Sequence, residues 1–202
     1  MQLDTLFLAV SIFDRFLSHR TIMAEKINLA ALGSLYVASK FEETYYPTVD
    51  QMLKFVPVAG KKEDVLLMER IILNDLRYRL GAPTAVTFLK RFAKASYADS
   101  TIGMVARFIC EHSLLSYSLT TNYPPSLVAA ACISHALRVV QRPPWTATLQ
   151  HYSGYRFEDI LPCMSELREH VKRAPTMKFR TIFKKYAEQR YLKAALQAVQ
   201  NI

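Results

Sequence analysis

The chain has 202 residues, of which 51% are hydrophobic and 21% charged, and it carries a formal net charge of +9. This composition excludes a disordered chain, because it supplies enough apolar residues for one large core or two small ones. The three cysteines, Cys110, Cys132 and Cys163, are far apart and form no Cys-x-x-Cys pair. Their spacing excludes a disulfide framework and a zinc site, and it indicates reduced thiols in an intracellular protein.

The first predicted helix begins at Leu3 and ends near Ser18. Its core-facing residues recur at alternating steps of three and four, the period of one helix face: Leu3, Leu6, Val10, Phe13 and Leu17. The run from Ile27 to Ser39 then carries no charge on any face and is rich in small residues. A helix that is apolar or small all round is buried, so this run is predicted to be the central helix of the first half.

A short helix and a longer one complete the first half. Thr48 is a suitable N-cap for a helix through Phe55, which Pro57 closes. The longer helix starts near Gly60 and has a buried stripe at helical spacing: Val65, Met68, Ile72 and Leu76. Residues 80–84 read Leu-Gly-Ala-Pro-Thr, a helix stop followed by a start, and this pattern predicts a domain boundary.

The second half repeats the plan of the first. Five further helices are predicted: Thr84–Ala95, Ile102–Ser118, one that opens at Pro125, Trp145–Ser153 and Phe157–Arg173. The uncharged run 126–134 matches the first central helix at an offset of 98 residues, which indicates two copies of one helical unit. No stretch alternates as a strand, so we predict an all-α fold with domains at residues 1–80 and 81–175 and a basic helical tail at 176–202.

The sequence offers no catalytic constellation. Its five glycines are scattered and form no phosphate-binding loop, and its five histidines lack the spacing of zinc or di-iron ligands. Glu42 and Glu43 are adjacent, so they point about 100° apart on a helix, which is typical of a solvated helix end and not of an acid–base pair. We therefore expect a binding protein that is not an enzyme and uses no cofactor or metal ion.

Membrane association is not expected either. The longest charge-free stretch, His112 to Leu137, is long enough to span a bilayer, but it contains polar residues and the break at Pro124-Pro125. The chain starts Met-Gln-Leu-Asp and runs directly into an amphipathic helix, which is unlike the basic start of a signal peptide.

A basic segment runs from Arg168 to Lys193. It contains nine lysines and arginines against two glutamates, and it contributes +7 of the net charge of +9. Such a segment could grip phosphates, but no base-stacking or base-reading cluster accompanies the charge. A solvated C-terminal helix, packed down by Tyr186 and Tyr191, is therefore favoured over a nucleic-acid site. An acidic protein surface is an equally natural partner.

Five motifs of the first half stand in a fixed order. They are DTLFLAV from Asp4, DRFLS from Asp14, Leu29, ASKFEE from Ala38 and VLLMERIIL from Val65. In order and spacing, this set resembles the N-terminal cyclin box of A/B-type (mitotic) cyclins. The resemblance continues through residues 80–84, 123–126 and 185–187, and it implies two tandem cyclin boxes of five helices each, the first one incomplete.

The resemblance implies a regulatory subunit that binds and activates a cyclin-dependent protein kinase in G2/M cell-cycle control, in the nucleus and cytoplasm. In cyclins, the lysine and glutamate that match Lys40 and Glu69 hydrogen-bond near each other and to the kinase, and Asp14 and Leu29 match structural positions. A lysine–glutamate pair is worth about 0–1 kcal/mol at a surface, but removing either group from an interface costs several kcal/mol. Five positions match the apolar surround of the pair: Val37, Phe41, Leu73, Tyr78 and Leu80.

Cyclins of this type place a further helix before the position of Leu3. That helix supplies an arginine that pairs with the aspartate matching Asp14, and most of a hydrophobic patch for Arg-x-Leu peptides of substrates and inhibitors. Only Ile27 and Asn28 match the remainder of the patch, so we expect weak Arg-x-Leu binding. A partly buried Asp14 without its arginine would destabilise the chain, so Asp14→Asn should cost little and an added upstream helix should stabilise.

Two other classes of function stay open from the sequence. One is a nucleic-acid-binding relative of the transcription initiation factor with cyclin-like repeats. DNA binding whose affinity falls steeply with salt concentration would favour this class. The other is a helical scaffold that binds no kinase. Failure to bind either a kinase or DNA would leave the scaffold. Copurification with candidate kinases and an assay of phosphoryl transfer test the kinase hypothesis.

Overall fold

The computed structural model describes residues 1–55 and 61–200, and these residues form helices and turns without a strand. Two short 3-10 helices, Ala24–Lys26 and Gln189–Tyr191, accompany the α-helices. The α-helices of the described residues are α1 (Leu3–His19), α2 (Ile27–Glu42), α3 (Val49–Phe55), α4 (Lys62–Asp75), α5 (Ala85–Ala95), α6 (Ser100–Ser113), α7 (Tyr117–Thr121), α8 (Pro125–Val139), α9 (Ala147–Ser153), α10 (Phe157–Arg173), α11 (Thr181–Ala187) and α12 (Ala194–Gln200). The predicted all-α class is confirmed.

The helices cluster into two compact units, Met1–Thr84 and Ala85–Ile202. The division follows the Leu-Gly-Ala-Pro-Thr sequence at 80–84, where proline and glycine interrupt helical structure. The described part of the basic tail, 176–200, is grouped with the second unit, because α12 packs against α6 and α11.

In the first unit, α2 is the central helix, as its uncharged sequence predicts. It packs against both α1 and α4. Gly33 permits the close approach to α4, since a Cβ atom at this position would lie 2.8 Å from Met68 Cγ. Val65 and Ile72 of the predicted α4 stripe are fully buried against it. This tight crossing fixes the C-terminal turn of α2 beside the middle of α4.

In the second unit, α8 takes the central place. Pro125 occupies the first turn of α8, where its missing N–H costs no hydrogen bond, and the helix packs against α5, α6 and α10. Each of the small residues Ala129, Ala130 and Ala131 is fully buried. Thus both uncharged runs are buried helices.

Two predicted helices differ from the structure, and one pair of predicted boundaries is not tested by it. Pro57 and Gly60, the expected stop of α3 and start of the next helix, lie outside the described residues. The helix predicted over 102–118 is two helices, because Ser116 caps a new one: its Oγ accepts a hydrogen bond from the Leu119 N–H at 3.4 Å. The expected C-terminal helix is also two, α11 and α12. Between them Leu192 and Lys193 adopt left-handed φ angles of 55° and 51°, which a continuous helix does not allow.

The described helices include none that is long and apolar enough to cross a membrane. The charge-free stretch from His112 to Leu137 is divided between α6, α7 and α8. The expectation that prolines interrupt this stretch is thus confirmed at Pro124, the N-cap of α8.

Candidate functional site

A lysine–glutamate pair joins the two helices that cross at Gly33. Lys40 lies in the last turn of α2 and Glu69 lies in the middle of α4. The Lys40 Nζ donates to Glu69 Oε1 at 2.7 Å, and the two side chains are 35% and 13% exposed. The pair therefore exists within the chain itself, with both groups within reach of solvent.

The surroundings of Lys40 keep it protonated. Burial lowers the pKa of its ammonium, but the hydrogen bond and charge of Glu69, and then Tyr36, outweigh burial and raise the pKa above its ordinary value. The Nζ lies 4.5 Å from the centroid of the Tyr36 ring, a cation–π distance. Lys40 therefore stays a cation throughout the physiological pH range, oriented by Glu69 and Tyr36.

The first unit also exposes two of the aromatic residues predicted for this site. Phe41 is 55% exposed and Tyr78 is 67% exposed, whereas Leu73 and Leu80 are half-buried against the core. Val37 is only 2% exposed and belongs to the core beneath. Of the apolar positions predicted from the resemblance, the structure places four at least partly at the surface and Val37 below it.

The turn after α4 presents Tyr78 in a strained backbone conformation. Arg77 and Tyr78 have left-handed φ angles of 48° and 57°, which cost energy for residues with a side chain. The Tyr78 N–H donates to Leu73 O at 2.9 Å and closes the turn. A Cβ atom at Gly81 would lie 3.6 Å from Phe41 Cζ, so the turn lies against the Phe41 ring. Such strain is found mainly where structure serves binding or catalysis.

Arg15 of α1 braces this turn. Its guanidinium donates to the carbonyl oxygens of Arg79 and Leu80, the second at 3.3 Å. This role of Arg15 was not predicted from the sequence. No local signal could have found it, because the two partners lie 64 and 65 residues away in the chain.

Sequence reasoning also missed Tyr36 and Leu66. Leu66 is 40% exposed and precedes Glu69 by three positions on α4, so the two side chains share a helix face. An exposed leucine beside an expected binding residue was a readable signal. Tyr36 precedes Lys40 by four positions, the spacing that aligns side chains on one face, and this too could have been read from the sequence.

The remaining predicted residues lie away from the ion pair. Leu29 is 9% exposed and packs in the core, as a structural residue would. Ile27 and Asn28 are both exposed at the start of α2. Asp14 is exposed, not partly buried as expected, yet nearby protein atoms desolvate its carboxyl enough to raise the pKa. Within 1–55 and 61–200, it makes no hydrogen bond or ion pair.

Glu43 is not the solvated helix end that was expected. Its Oε1 accepts hydrogen bonds from the Gln2 N–H at 2.5 Å and from Thr5 Oγ1 at 2.6 Å. The Thr5 bond, then the Gln2 bond, lowers the pKa of the Glu43 carboxyl. Glu43 thus satisfies the start of α1, where backbone N–H groups lack partners.

The second unit contains a lysine–glutamate pair of a different kind. Glu111 of α6 is 4% exposed. Each of its carboxylate oxygens accepts a hydrogen bond from Lys185 Nζ at 2.9 Å, and Oε2 also accepts one from the Tyr186 hydroxyl at 2.7 Å. The expectation that Tyr186 packs the basic segment down is confirmed, since the residue is fully buried. Burial and then the Glu111 charge raise the pKa of the Tyr186 hydroxyl, so it remains a donor.

Fold and surface together define an all-helical protein of two units, the first of which carries a partly exposed ion pair and exposed aromatic residues. Two family models match the chain: the N-terminal domain of cyclins over residues 1–81 and the C-terminal domain of cyclins over residues 83–200. The chain belongs to the cyclin family. The resemblance to A/B-type cyclins is confirmed by its relatives.

Among those relatives, the G2/mitotic-specific cyclin-B of Patella vulgata is 35% identical over 94% of this chain and 46% of that protein. The G2/mitotic-specific cyclin cdc13 of Schizosaccharomyces pombe is 35% identical over 96% of this chain and 39% of that protein. The chain thus spans less than half of the length of these two relatives. A solved viral cyclin from herpesvirus saimiri has the same fold, with a TM-score of 0.77 at 17% identity, over 92% of this chain and 80% of that one.

Proposed function

We propose that this chain is the regulatory, non-catalytic subunit of a cyclin-dependent protein kinase and acts in G2/M control of the cell cycle. The carrying observation is the Lys40–Glu69 pair, at 2.7 Å and partly exposed in the first unit, together with the exposed side chains of Phe41 and Tyr78 in the same unit. The similarity to G2/mitotic cyclins supports the choice of partner and stage.

The surface suits a protein partner on physical grounds. Exposed aromatic residues supply large contact areas at low entropy cost, and such side chains are enriched at interfaces. The ion pair at their edge supplies a lysine and a carboxylate with unused hydrogen-bonding capacity, since Lys40 has three donors. We expect the kinase to bind these groups and thereby fix its regulatory helix and activation segment in the active arrangement.

The test compares binding with stability in Lys40→Ala and Glu69→Ala. Each variant leaves one charged group unpaired in a desolvated interface, so binding should weaken by about 2–5 kcal/mol. Stability of the free chain should fall by no more than about 1 kcal/mol, because the pair is partly hydrated. Calorimetric titration with a cyclin-dependent kinase and thermal melting of the chain alone measure the two effects.

Arg20→Ala is the matched control. It breaks another surface pair in the same unit, between Arg20 Nε and Asp75 Oδ2 at 2.6 Å, but leaves the proposed interface intact. This variant should bind and activate the kinase like the parent chain. If Lys40→Ala and Glu69→Ala also bind like the parent, the assignment of the interface is wrong.

Two further expectations go with this proposal. Ile27 and Asn28 are exposed and would contribute to docking of Arg-x-Leu peptides, but two side chains supply little area, so a labelled peptide should bind the chain weakly. A dissociation constant in the low micromolar range would contradict this.

We also propose that the complex is present in both nucleus and cytoplasm, which a fluorescent fusion would test.

A further inference from the structure

An exposed basic surface of the second unit takes no part in the proposed kinase site. It lies on the connection between α10 and α11 and on the first turn of α11. We name it the basic loop surface and define it by five exposed residues: Arg173, Lys178, Phe179, Arg180 and Lys184.

Hydrogen bonds of the backbone bring these residues together. The Met177 N–H donates to Arg173 O at 3.1 Å, so the chain turns back directly after α10. The Lys184 N–H donates to Arg180 O at 2.8 Å. Arg180 and Lys184 are thus one helical turn apart, with their Cβ atoms about 6 Å from each other. Each end of the surface is therefore folded into a turn and is not an extended chain of charges.

The cations of this surface differ from their neighbours in the basic segment. Three of those neighbours are paired with a glutamate: Lys172 with Glu169, Lys185 with Glu111, and Arg190 with Glu188. The four cations of the basic loop surface form no ion pair with any residue in the described parts of the chain. Their charge is available to a partner.

An aromatic ring lies among these cations. Phe179 is 67% exposed, and the Lys178 Nζ lies 5.7 Å from its ring centroid. An isolated exposed phenylalanine is unremarkable on a protein surface. A phenylalanine bordered by unpaired arginines and lysines, however, combines the apolar anchor and the charge that protein interfaces concentrate.

We propose that the basic loop surface binds an acidic peptide segment that carries an apolar side chain. Carboxylates of the segment pair with the four cations, and its apolar side chain contacts the Phe179 ring. A nucleic acid fits less well, because strand binding uses a series of stacking rings, and this surface offers a single ring, that of Phe179. The inference does not depend on the kinase proposal, since the basic loop surface and the proposed kinase site have no residue in common.

Fluorescence anisotropy with the complete 202-residue chain tests this inference. The probe is a labelled peptide of about twelve residues, rich in glutamate with one central leucine. Lys178→Glu with Arg180→Glu should weaken binding by about ten-fold or more, because charge is reversed where carboxylates dock. Phe179→Ser should weaken it by about three-fold or more and leave its salt dependence unchanged, since no charge is altered. Urea unfolding of each variant at the midpoint of the parent chain establishes that the fold is retained.

The matched control is Lys54→Glu with Lys94→Glu, which makes the same change of net charge at two exposed lysines elsewhere. This variant should bind the peptide within about two-fold of the parent. An equal loss in the control would overturn the proposal, because it would mean attraction by net charge alone. Tighter binding of a labelled oligothymidine than of the acidic peptide, or no peptide binding at low salt, would also overturn it.

Discussion

The two units each contain a lysine–glutamate pair between two helices, and the pairs differ in what surrounds them. Glu69 has Lys40 as its partner at a surface lined by Phe41, while Glu111 is enclosed and has a second donor in Tyr186. The glutamate side chains are 13% and 5% exposed. The first pair retains unused hydrogen-bonding groups for a partner, whereas the second pair uses its hydrogen bonds to hold α11 on α6. Residue type alone therefore does not separate a binding pair from a structural one; burial and the number of internal donors do.

Glu111→Ala should produce the largest effect on stability. It leaves the buried Tyr186 hydroxyl and the Lys185 ammonium without their acceptor, and removing one partner of a buried pair costs about 3–5 kcal/mol. We expect the lower end, since Lys185 is 35% exposed. Trp145 is the single tryptophan and lies in the second unit, so its fluorescence during urea unfolding reports on this unit. Equal losses for Glu111→Ala and Glu69→Ala would remove the distinction between the two pairs.

Mild acid should destabilise the second unit through its buried histidines. Burial, and then the charge of His170, lowers the pKa of His112 to about 4. Burial, and then the charges of Arg168 and Arg138, lowers the pKa of His135 to about 4. Among the described residues neither imidazole has a hydrogen-bond partner, so no hydrogen bond stabilises the protonated form.

The sign of this pH effect follows from linkage. Because the folded pKa is depressed, the contribution of each histidine is complete above the unfolded pKa of about 6.5 and is lost as pH falls towards 4. The loss is up to about 3 kcal/mol for each group at pH 4. Urea unfolding followed by Trp145 fluorescence between pH 7 and pH 4 measures it. His135→Leu should reduce the slope, and a slope unchanged by this variant would contradict the assignment.

Two glycine substitutions test how tightly each unit is packed, with smaller expected changes in the free energy of unfolding. A Cβ atom at Gly33 would lie 2.8 Å from Met68 Cγ and 3.2 Å from Ile72 Cδ1, whereas one at Gly103 of α6 would meet nothing within 4 Å. Gly33→Ala should therefore cost about 1–3 kcal/mol by overpacking. Gly103→Ala should stabilise by about 0.4–1 kcal/mol, because alanine lowers the entropy of the unfolded chain. Urea unfolding followed by circular dichroism compares them, and a neutral Gly33→Ala would mean that α2 and α4 can separate without cost.

The central helices were predictable because their composition has a direct physical meaning. A run without charge, such as Ile27–Ser39, can only be stable where no face requires water, and α2 and α8 are indeed buried. The α4 stripe was predictable for a related reason, since Val65 and Ile72 recur at helical spacing. The α1 stripe was wrong, however: Leu17 is exposed, and the buried apolar residues of α1 are Phe7, Leu8, Ala9, Ile12 and Phe16.

The candidate site was less accessible to sequence reasoning. Lys40, Glu69 and their apolar neighbours came from a family resemblance, and one of those neighbours, Val37, belongs to the core. The left-handed turn at Arg77 and Tyr78 has no glycine to signal it. The bracing of that turn by Arg15, like the capping of α1 by Glu43, joins residues distant in sequence. Contacts of this kind exist only once the helices have packed.

The smallest expected effect is that of Asp14→Asn, and it sharpens the comparison with the paired carboxylates. Asp14 is exposed, and desolvation alone raises its pKa. A carboxyl whose folded pKa is raised contributes stability that is complete below the unfolded pKa, near 3.8, and that is lost as pH rises through the folded value. At pH 7 the ionised group is therefore slightly unfavourable, and Asp14→Asn should be neutral or stabilising by no more than about 0.5 kcal/mol.

The control Asp75→Asn removes the partner of Arg20 and should cost up to about 1 kcal/mol. Urea unfolding at pH 7 and pH 3 compares the two variants, and the benefit of Asp14→Asn should disappear at pH 3. A loss of 1 kcal/mol or more for Asp14→Asn at pH 7 would mean that this carboxylate, like Glu69 and Glu111, has a cationic or hydrogen-bonding partner in solution.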